Sequence, residues 1–414
     1  MHDDSADPVR PMEQLYLAWL TERLQHYLDR PVSEDEPVPG HDLDSVAVLN
    51  LYGDIEEAFG PLIDPTDIGT HPTPRELARH MVSRDLRPGI GHAVRPAFAF
   101  TGLGAEHPGM TSALYIESAP YRTALDEAAD ALRPFTGTSV VDVILSSAPQ
   151  LRHTALAQPA LFAVGYALAR ALECSGVTPV AVIGQGIGEF AAAVLCGALS
   201  LPAAARLVAL RGAFCQGTDP GGMLATGLSV AEAERLTAKE PLVGVAALNA
   251  PRSTVLSGDS GALERVMLRL AAQGDRCVRL PAAHAFHSPL MRPVTARFTA
   301  AARRVPGGAP HLPFYSTLRG RLTGEPLYAS YWTEQLTAPV RFAEAAGALL
   351  DQQTPSHVVE IGPRPVLLPY LRRIAGRKEP VLRAVCTGPR SGQEHLARLL
   401  ADLRAAAPPA LAGS

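Results

Sequence analysis

The hexapeptide Gly184-Gln185-Gly186-Ile187-Gly188-Glu189 follows the apolar run Ala181-Val182-Ile183 and precedes an Ala-rich stretch from Phe190 to Leu199. A strand, a sharp Gly-flanked turn and a helix make the frame of a nucleophile elbow, the device that exposes a serine hydroxyl for covalent acyl transfer. Here the corner residue is Gly186, which has no side chain. A phosphate-binding loop is a poorer reading of the same glycines, because the Lys that such loops place at the phosphates is absent. A second residue with chemistry to offer is Ser45 in Leu43-Asp44-Ser45-Val46. A serine at a helix start is an N-cap in the plain case, and a hydroxyl for covalent modification in the other. The five cysteines show no C-x-x-C or other metal spacing. They read as free thiols of a reducing compartment, so a cytoplasmic location is expected.

These residues need elements to position them. Of the formal net charge of −4, residues 1–82 carry −12 (17 acidic residues, 5 Arg, no Lys) and the remainder +8. So lopsided a distribution points to two domains with different partners. In the acidic part, Leu15, Trp19, Tyr27 and Leu28 recur near one face of a helix over residues 12–29. Pro and acidic residues then form a loop over 32–40. Val48, Leu51, Tyr52, Ile55 and Phe59 recur at helical spacing in a second helix from about Asp44 to Phe59, with Asp54, Glu56 and Glu57 outward. Thr73-Pro74-Arg75-Glu76 carries the capping box and first-turn proline of a third. The expectation is a small all-α acidic bundle over 1–82 and a linker over 83–95.

From residue 96 short strands alternate with helices: Ala97–Phe100, Tyr121–Arg133, Gln158–Cys174, Pro179–Ile183, Phe190–Gly197 and Ala203–Gln216, resuming at His357–Ile361. That alternation predicts an α/β body with a parallel sheet over 96–385. Residues 223–280 read β-α-β-β-α-β, a ferredoxin-like insert. The last segment, 386–414, is expected to hold a helix at about Gln393–Arg404 and an Ala/Pro tail without structure. The N-terminus lacks the apolar core of a signal peptide. The longer apolar runs are interrupted by Gly, Pro and charge, so no membrane partner is expected. Dispersed basic residues without an aromatic stripe argue against nucleic acid.

The stretch Asp42 to Gly60, with its Asp-Ser pair at the head of an acidic helix, resembles acyl carrier proteins. The resemblance implies a 4′-phosphopantetheine arm on Ser45, a phosphopantetheinyl transferase that installs it, and docking of the acidic helix onto basic partner enzymes. Asp42 and Val46 depart from the usual Gly and Leu. Residues 96–385 resemble the malonyl-CoA:carrier acyltransferase family, in particular the acyltransferase domains of modular polyketide synthases. The fold implied is an α/β hydrolase-like body. His284-Ala285-Phe286-His287-Ser288 matches the family stretch, which gives His287 the role of base. The resemblance implies that a backbone carbonyl orients that imidazole, and the loop Gly362-Pro363-Arg364-Pro365 is the expected source. Arg211 falls where the family pairs an Arg with the malonyl carboxylate, a geometry that suits a guanidinium fork. Gln158 and Asn249 fall where family residues line the pocket. Leu103 and Ile187 would supply the oxyanion N–H groups.

Four positions depart from the family, among them Gln185, which stands for its His. Gly186 stands for the serine, the loss of which costs a serine hydrolase roughly 10⁶ in turnover. Leu103-Gly104-Ala105-Glu106 stands where the family has Gln-Gly-x-Gln. Cys215 and Ser288 are the nearest substitute nucleophiles, and neither lies on an elbow. Three readings follow: a carrier fused to a pseudo-acyltransferase that binds or presents acyl groups within a polyketide synthase; an active malonyl- or acyl-CoA:carrier transacylase with its serine replaced by Gly186; and a weak thioester hydrolase using His287. The partners expected are polyketide synthase components and other carrier proteins or acyltransferases, with malonyl-CoA or a related acyl-CoA as ligand.

Overall fold

The computed structural model describes residues 9–28, 30–37, 45–59, 63, 65–85, 94–146, 149–376 and 380–405. It separates into two compact units, Met1–His92 and Ala93–Ser414.

The first unit is helical: Val9–Leu28, Ser45–Phe59, Pro65–Thr70 and Pro74–Asp85. The short helix Pro65–Thr70 adds a fourth element to the three expected; six residues are too few to show a hydrophobic period. The core is Tyr16, Leu17, Leu20, Leu24, Leu51, Ile55, Ile63, Leu77, Ala78 and Met81. Leu15 is not part of the inward face as expected, being 60% exposed. Packing selects the stripe of Tyr16, Leu20 and Leu24, one residue further round the helix. Trp19 and Tyr16 both meet the Phe59 ring edge-on, with centroids 4.8 and 4.9 Å away. Asp54 is half-buried rather than purely outward, because it accepts a 2.6 Å hydrogen bond from the Tyr27 hydroxyl. The capping box at Thr73 and Glu76 forms as expected, with reciprocal bonds of 3.1 and 3.2 Å. Its helix runs three residues into the expected linker. Residues 86–93 and the tail 406–414 lie outside the described residues, as do Asp42, Leu43 and Asp44.

The second unit is built on two sheets. Their strands are β1 (Pro96–Phe100), β2 (Ala181–Gly184), β3 (Gly222–Thr226), β4 (Val243–Ala250), β5 (Ser253–Gly258), β6 (Cys277–Leu280), β7 (Phe314–Ser316), β8 (Arg321–Thr323), β9 (His357–Ile361) and β10 (Val381–Ala384). The larger sheet has the order β10-β9-β1-β2-β7-β8, parallel except for the β7–β8 hairpin. β1, β2 and β9 are buried at every residue, the pattern of parallel strands covered on both faces. β3 to β6 form a separate antiparallel sheet in the order β4-β5-β3-β6, with helices Val230–Thr237 and Ser260–Ala272 between its strands. Helix Thr154–Cys174 is long and apolar enough to cross a membrane by length and composition, and most of it is buried inside this unit. The helix Gln393–Ala405 sends Leu396, Leu399, Leu400 and Leu403 into the same core.

The register sets the site. Phe100 at the end of β1 lies opposite Gly184 of β2 and Ile361 of β9. The segments leaving the three carboxyl ends therefore start side by side, where open α/β sheets place their ligands. The turn after β2 is packed too closely for side chains. A β-carbon on Gly184 would collide with the Glu189 nitrogen, and one on Gly188 would sit 2.5 Å from the Phe100 carbonyl oxygen. Gly186 has φ +54°, and a β-carbon there would meet His287 Nε2 at an ordinary van der Waals distance. Gly188→Ala is therefore expected to lower stability by about 3 kcal/mol or more through a backbone clash. Gly186→Ala should cost only about 1–2 kcal/mol, the penalty of a left-handed L-residue. Urea melts of the two variants check this order, and an equal or reversed cost would contradict the packing.

Candidate active site

The elbow runs from β2 through Gln185, Gly186 and Ile187 into helix Gly188–Leu195. A β-carbon on Gly186 would lie 3.5 Å from His287 Nε2. His287 is 9% exposed and adopts φ +59°, a left-handed conformation that a non-Gly residue holds only when its surroundings impose it. Its Nδ1 lies 2.9 Å from the Ala338 carbonyl oxygen. Donation from Nδ1–H to that carbonyl leaves Nε2 as the acceptor facing Gly186. The orienting carbonyl is thus Ala338 and not the loop 362–365. The carbonyl follows helix Ala329–Gln335, an element with no signature in the sequence. The loop 362–365 instead braces the segment after β1, where Arg364 donates to the Gly104 carbonyl. Burial, with the Arg211 charge adding to it, holds the His287 imidazole down at about 4.

Arg211 projects from helix Leu201–Gln216 and is 1% exposed. Its Nη1 donates to Gln158 Oε1 at 2.6 Å, and Gln158 Nε2 donates in turn to Thr154 Oγ1 at 2.8 Å. No carboxylate pairs with Arg211 among the described residues, and its Nε has no partner. A buried guanidinium with spare donors is a receptor for a carboxylate. Burial lowers its pKa. Gln158 is thus the Arg211 positioner. Asn249 accepts a 2.6 Å hydrogen bond from Gln185 Nε2, tying the elbow to β4. Among the described residues no hydrogen bond engages the Leu103 or Ile187 N–H. Both remain free to receive an oxyanion.

The residues that hold the elbow went unassigned in the sequence. Glu189 is fully buried and accepts from Thr317 N at 2.6 Å, Thr317 Oγ1 at 3.0 Å, Tyr331 OH at 3.0 Å and Gln335 Nε2 at 2.9 Å. Gln335 Nε2 also donates to the Gly186 carbonyl at 2.8 Å. Desolvation raises the Glu189 pKa, and the Gln335, Thr317 and Tyr331 hydrogen bonds oppose it. The only signal for this network was the Glu189 that closes the elbow motif; its partners lie more than 120 residues away in the chain.

The alternative nucleophiles are accounted for. Ser288 donates to the Ala285 carbonyl at 2.7 Å and accepts from Leu290 N at 3.1 Å. Cys215 is buried, and desolvation raises its thiol pKa. At the corresponding place after β1, Glu106 accepts a 2.7 Å bond from Gly104 N. Burial raises its pKa, with hydrogen bonds from its own and the Gly104 backbone and the Arg364 charge opposing.

Residues 97–406 match the model of the acyl transferase domain, and residues 18–81 match that of the phosphopantetheine attachment site. The chain belongs to the acyl transferase domain family. Within this family, polyketide synthase GfsB of Streptomyces halstedii is 37% identical over 300 residues, covering 70% of the chain and 5% of GfsB. The spectinabilin polyketide synthase protein NorC of Streptomyces orinoci is 38% identical over 290 residues, 69% of the chain and 13% of NorC. The chain thus spans a small fraction of these relatives. The acyltransferase domain from the second module of the salinomycin polyketide synthase superposes with a TM-score of 0.71 at 37% identity, covering 75% of this chain and 73% of that one. The loading acyltransferase of the avermectin synthase gives 0.70 at 32%, with 75% and 99% covered. The acyl transferase domain is preceded by a carrier unit, whose family implies a phosphopantetheine group. Ser45 opens helix Ser45–Phe59; its side chain lies outside the described residues. Within residues 42–51 it is the sole hydroxyl, the group a phosphodiester link requires.

The His287 shift predicts a pH dependence. Its folded value lies near 4 and its unfolded value near 6.5, so between these the unfolded chain binds more protons. Stability conferred by the neutral imidazole is complete above pH 6.5 and is lost as pH falls towards 4. Against His287→Gln, the native chain should lose about 1.4 kcal/mol per pH unit in that window. Parallel stability curves from denaturant melts would contradict the burial of a neutral imidazole.

Proposed function

We propose that this is a carrier–acyltransferase-like didomain of a modular polyketide synthase in which Ser45 carries the phosphopantetheine arm and the body binds or presents acyl groups without forming an acyl-enzyme. The arm supplies a thiol that holds an acyl group as a thioester. The observation that carries the reading is the elbow itself: backbone, base and buttress are present, and Gly186 supplies no atom to acylate. The carboxylate receptor is intact, and the spare donors of Arg211 fit the free carboxylate of a malonyl-type group. Five free cysteines accord with a cytoplasmic location. Partners are other components of the synthase and the transferase that modifies Ser45. In this reading the sheet β3–β6 is the ferredoxin-like insert, supported by its strand order.

A second reading is a malonyl- or acyl-CoA:carrier transacylase in which Gly186 replaces a serine. The undisturbed geometry of His287, Arg211 and Glu189 favours it. The native chain, Gly186→Ser and Ser45→Ala are first incubated with a phosphopantetheinyl transferase and unacylated CoA, then freed of both and incubated with malonyl-CoA, and intact masses are read after each step. The native chain should gain one phosphopantetheine on Ser45 and no acyl group through its own body. Ser45→Ala should gain none. Self-acylation of the native holo-chain would overturn the pseudoenzyme reading, and an unmodified native chain would overturn the carrier assignment. Gly186→Ser should restore acylation at the elbow if the nucleophile alone is missing. Water activated by His287 would instead appear as release of free malonate, which the native chain should not catalyse.

The carboxylate receptor gives a separate prediction. Arg211→Ala should weaken malonyl-CoA binding by roughly 10- to 100-fold, the worth of a charge-assisted hydrogen bond. Acetyl-CoA, which lacks the carboxylate, should bind both proteins alike. Calorimetric titration decides it, and an equal loss for both ligands would show that Arg211 serves packing alone.

A further inference from the structure

The carrier unit holds a second cluster with donor chemistry, apart from Ser45. Asp67 lies in helix Pro65–Thr70, His71 directly follows it, and His80 faces both from helix Pro74–Asp85. One ligand atom from each lies within 4.8 Å of the others. The two imidazoles stack with centroids 4.0 Å apart and an interplanar angle of 25°.

We propose that Asp67, His71 and His80 form a Zn²⁺ site that clasps the end of helix Pro65–Thr70 to helix Pro74–Asp85.

Three observations support it independently of the acyl chemistry. First, His71 Nδ1 is turned to the Asp67 carbonyl oxygen at 3.0 Å and to Thr70 Oγ1 at 3.1 Å. A ring N–H donated to a backbone carbonyl is the usual support of a metal-bound histidine, and that tautomer leaves the lone pair on Nε2. Second, His80 Nε2 is buried and lies 3.2 Å from Asp67 Oδ2 without an aligned hydrogen bond. That spacing is the edge of a tetrahedron with bonds of about 2.0 Å, the Zn²⁺ distance for nitrogen and carboxylate ligands. A metal between the two atoms gives this buried nitrogen a ligand bond in place of the ion-pair contact with Asp67. Third, the cluster opens onto a depression lined by Thr70, His71, Glu76, Arg79, His80 and Ser83, which gives an ion a path in from solvent.

Two of the neighbouring charged side chains are engaged elsewhere. Glu76 is held in its capping box and Arg79 pairs with Glu13 at 2.8 Å. Burial keeps the His80 imidazole below its ordinary pKa, with the nearby His71 and Arg84 adding to this and the Asp67 contact opposing it. Two imidazoles and one carboxylate suit Zn²⁺, with a water in the fourth position.

The test uses the full chain stripped with a chelator and titrated with Zn²⁺ by calorimetry, with Co²⁺ as the spectroscopic probe. One equivalent should bind, Co²⁺ should give the intense visible bands of a tetrahedral site, and Zn²⁺ should raise the melting temperature of the carrier unit. Asp67→Asn, His71→Asn and His80→Asn should each weaken binding at least tenfold. Circular dichroism should show each variant helical, so that a loss is one of ligands and not of fold. Thr70→Ala keeps all three ligands and should retain the site. The proposal is overturned if no Zn²⁺ binds at micromolar concentration, if the triple variant binds as the native chain does, or if Fe²⁺ binds there and Zn²⁺ does not. None of these outcomes bears on acyl loading of Ser45.

Discussion

The site depends on one buried carboxylate. Glu189 has no access to water, and a carboxylate in that position is tolerable only when donors surround it. Those donors come from the segment after β7 and from helix Ala329–Gln335. Gln335 spans the arrangement by donating both to Glu189 and to the Gly186 carbonyl. Three residues beyond Gln335, the Ala338 carbonyl sets the tautomer and orientation of His287. The elbow and the base are thereby fixed by one stretch of chain, and each keeps its position through the other's support.

This explains how an elbow with glycine at its corner keeps its shape. Nothing in the network touches a side chain at position 186. Gln335 holds the backbone carbonyl there, Glu189 is anchored from the far side, and Gly184 and Gly188 let the turn close against β1. Glycine at the corner also removes the strain that a serine would carry at φ +54°. The body holds the His287 imidazole neutral and buries the Arg211 guanidinium with no carboxylate partner among the described residues. Their electrostatics are matched: the Arg211 charge helps hold His287 unprotonated, and burial sharpens both effects.

The sequence by itself carried the elbow, because a strand, closely spaced glycines and an Ala-rich helix are local patterns. It carried the capping box at Thr73, the alternation of strands and helices, and the motif around His287 for the same reason. Acidic composition separated the first unit from the second. The short strands β7 and β8 and the helix Pro65–Thr70 were not legible, since three to six residues give no period to read. The choice between Leu15 and Tyr16 as the inward residue was not legible either, because neighbouring stripes on a helix differ by one step and only the facing helices choose between them. What tertiary structure alone decided are the partners of long sequence separation. Ala338 rather than the loop 362–365 orients His287, Gln158 holds Arg211, and Thr317, Tyr331 and Gln335 enclose Glu189. A residue's type declares what it can donate or accept, but which group answers a buried charge is fixed by what the folded chain brings within 3 Å of it.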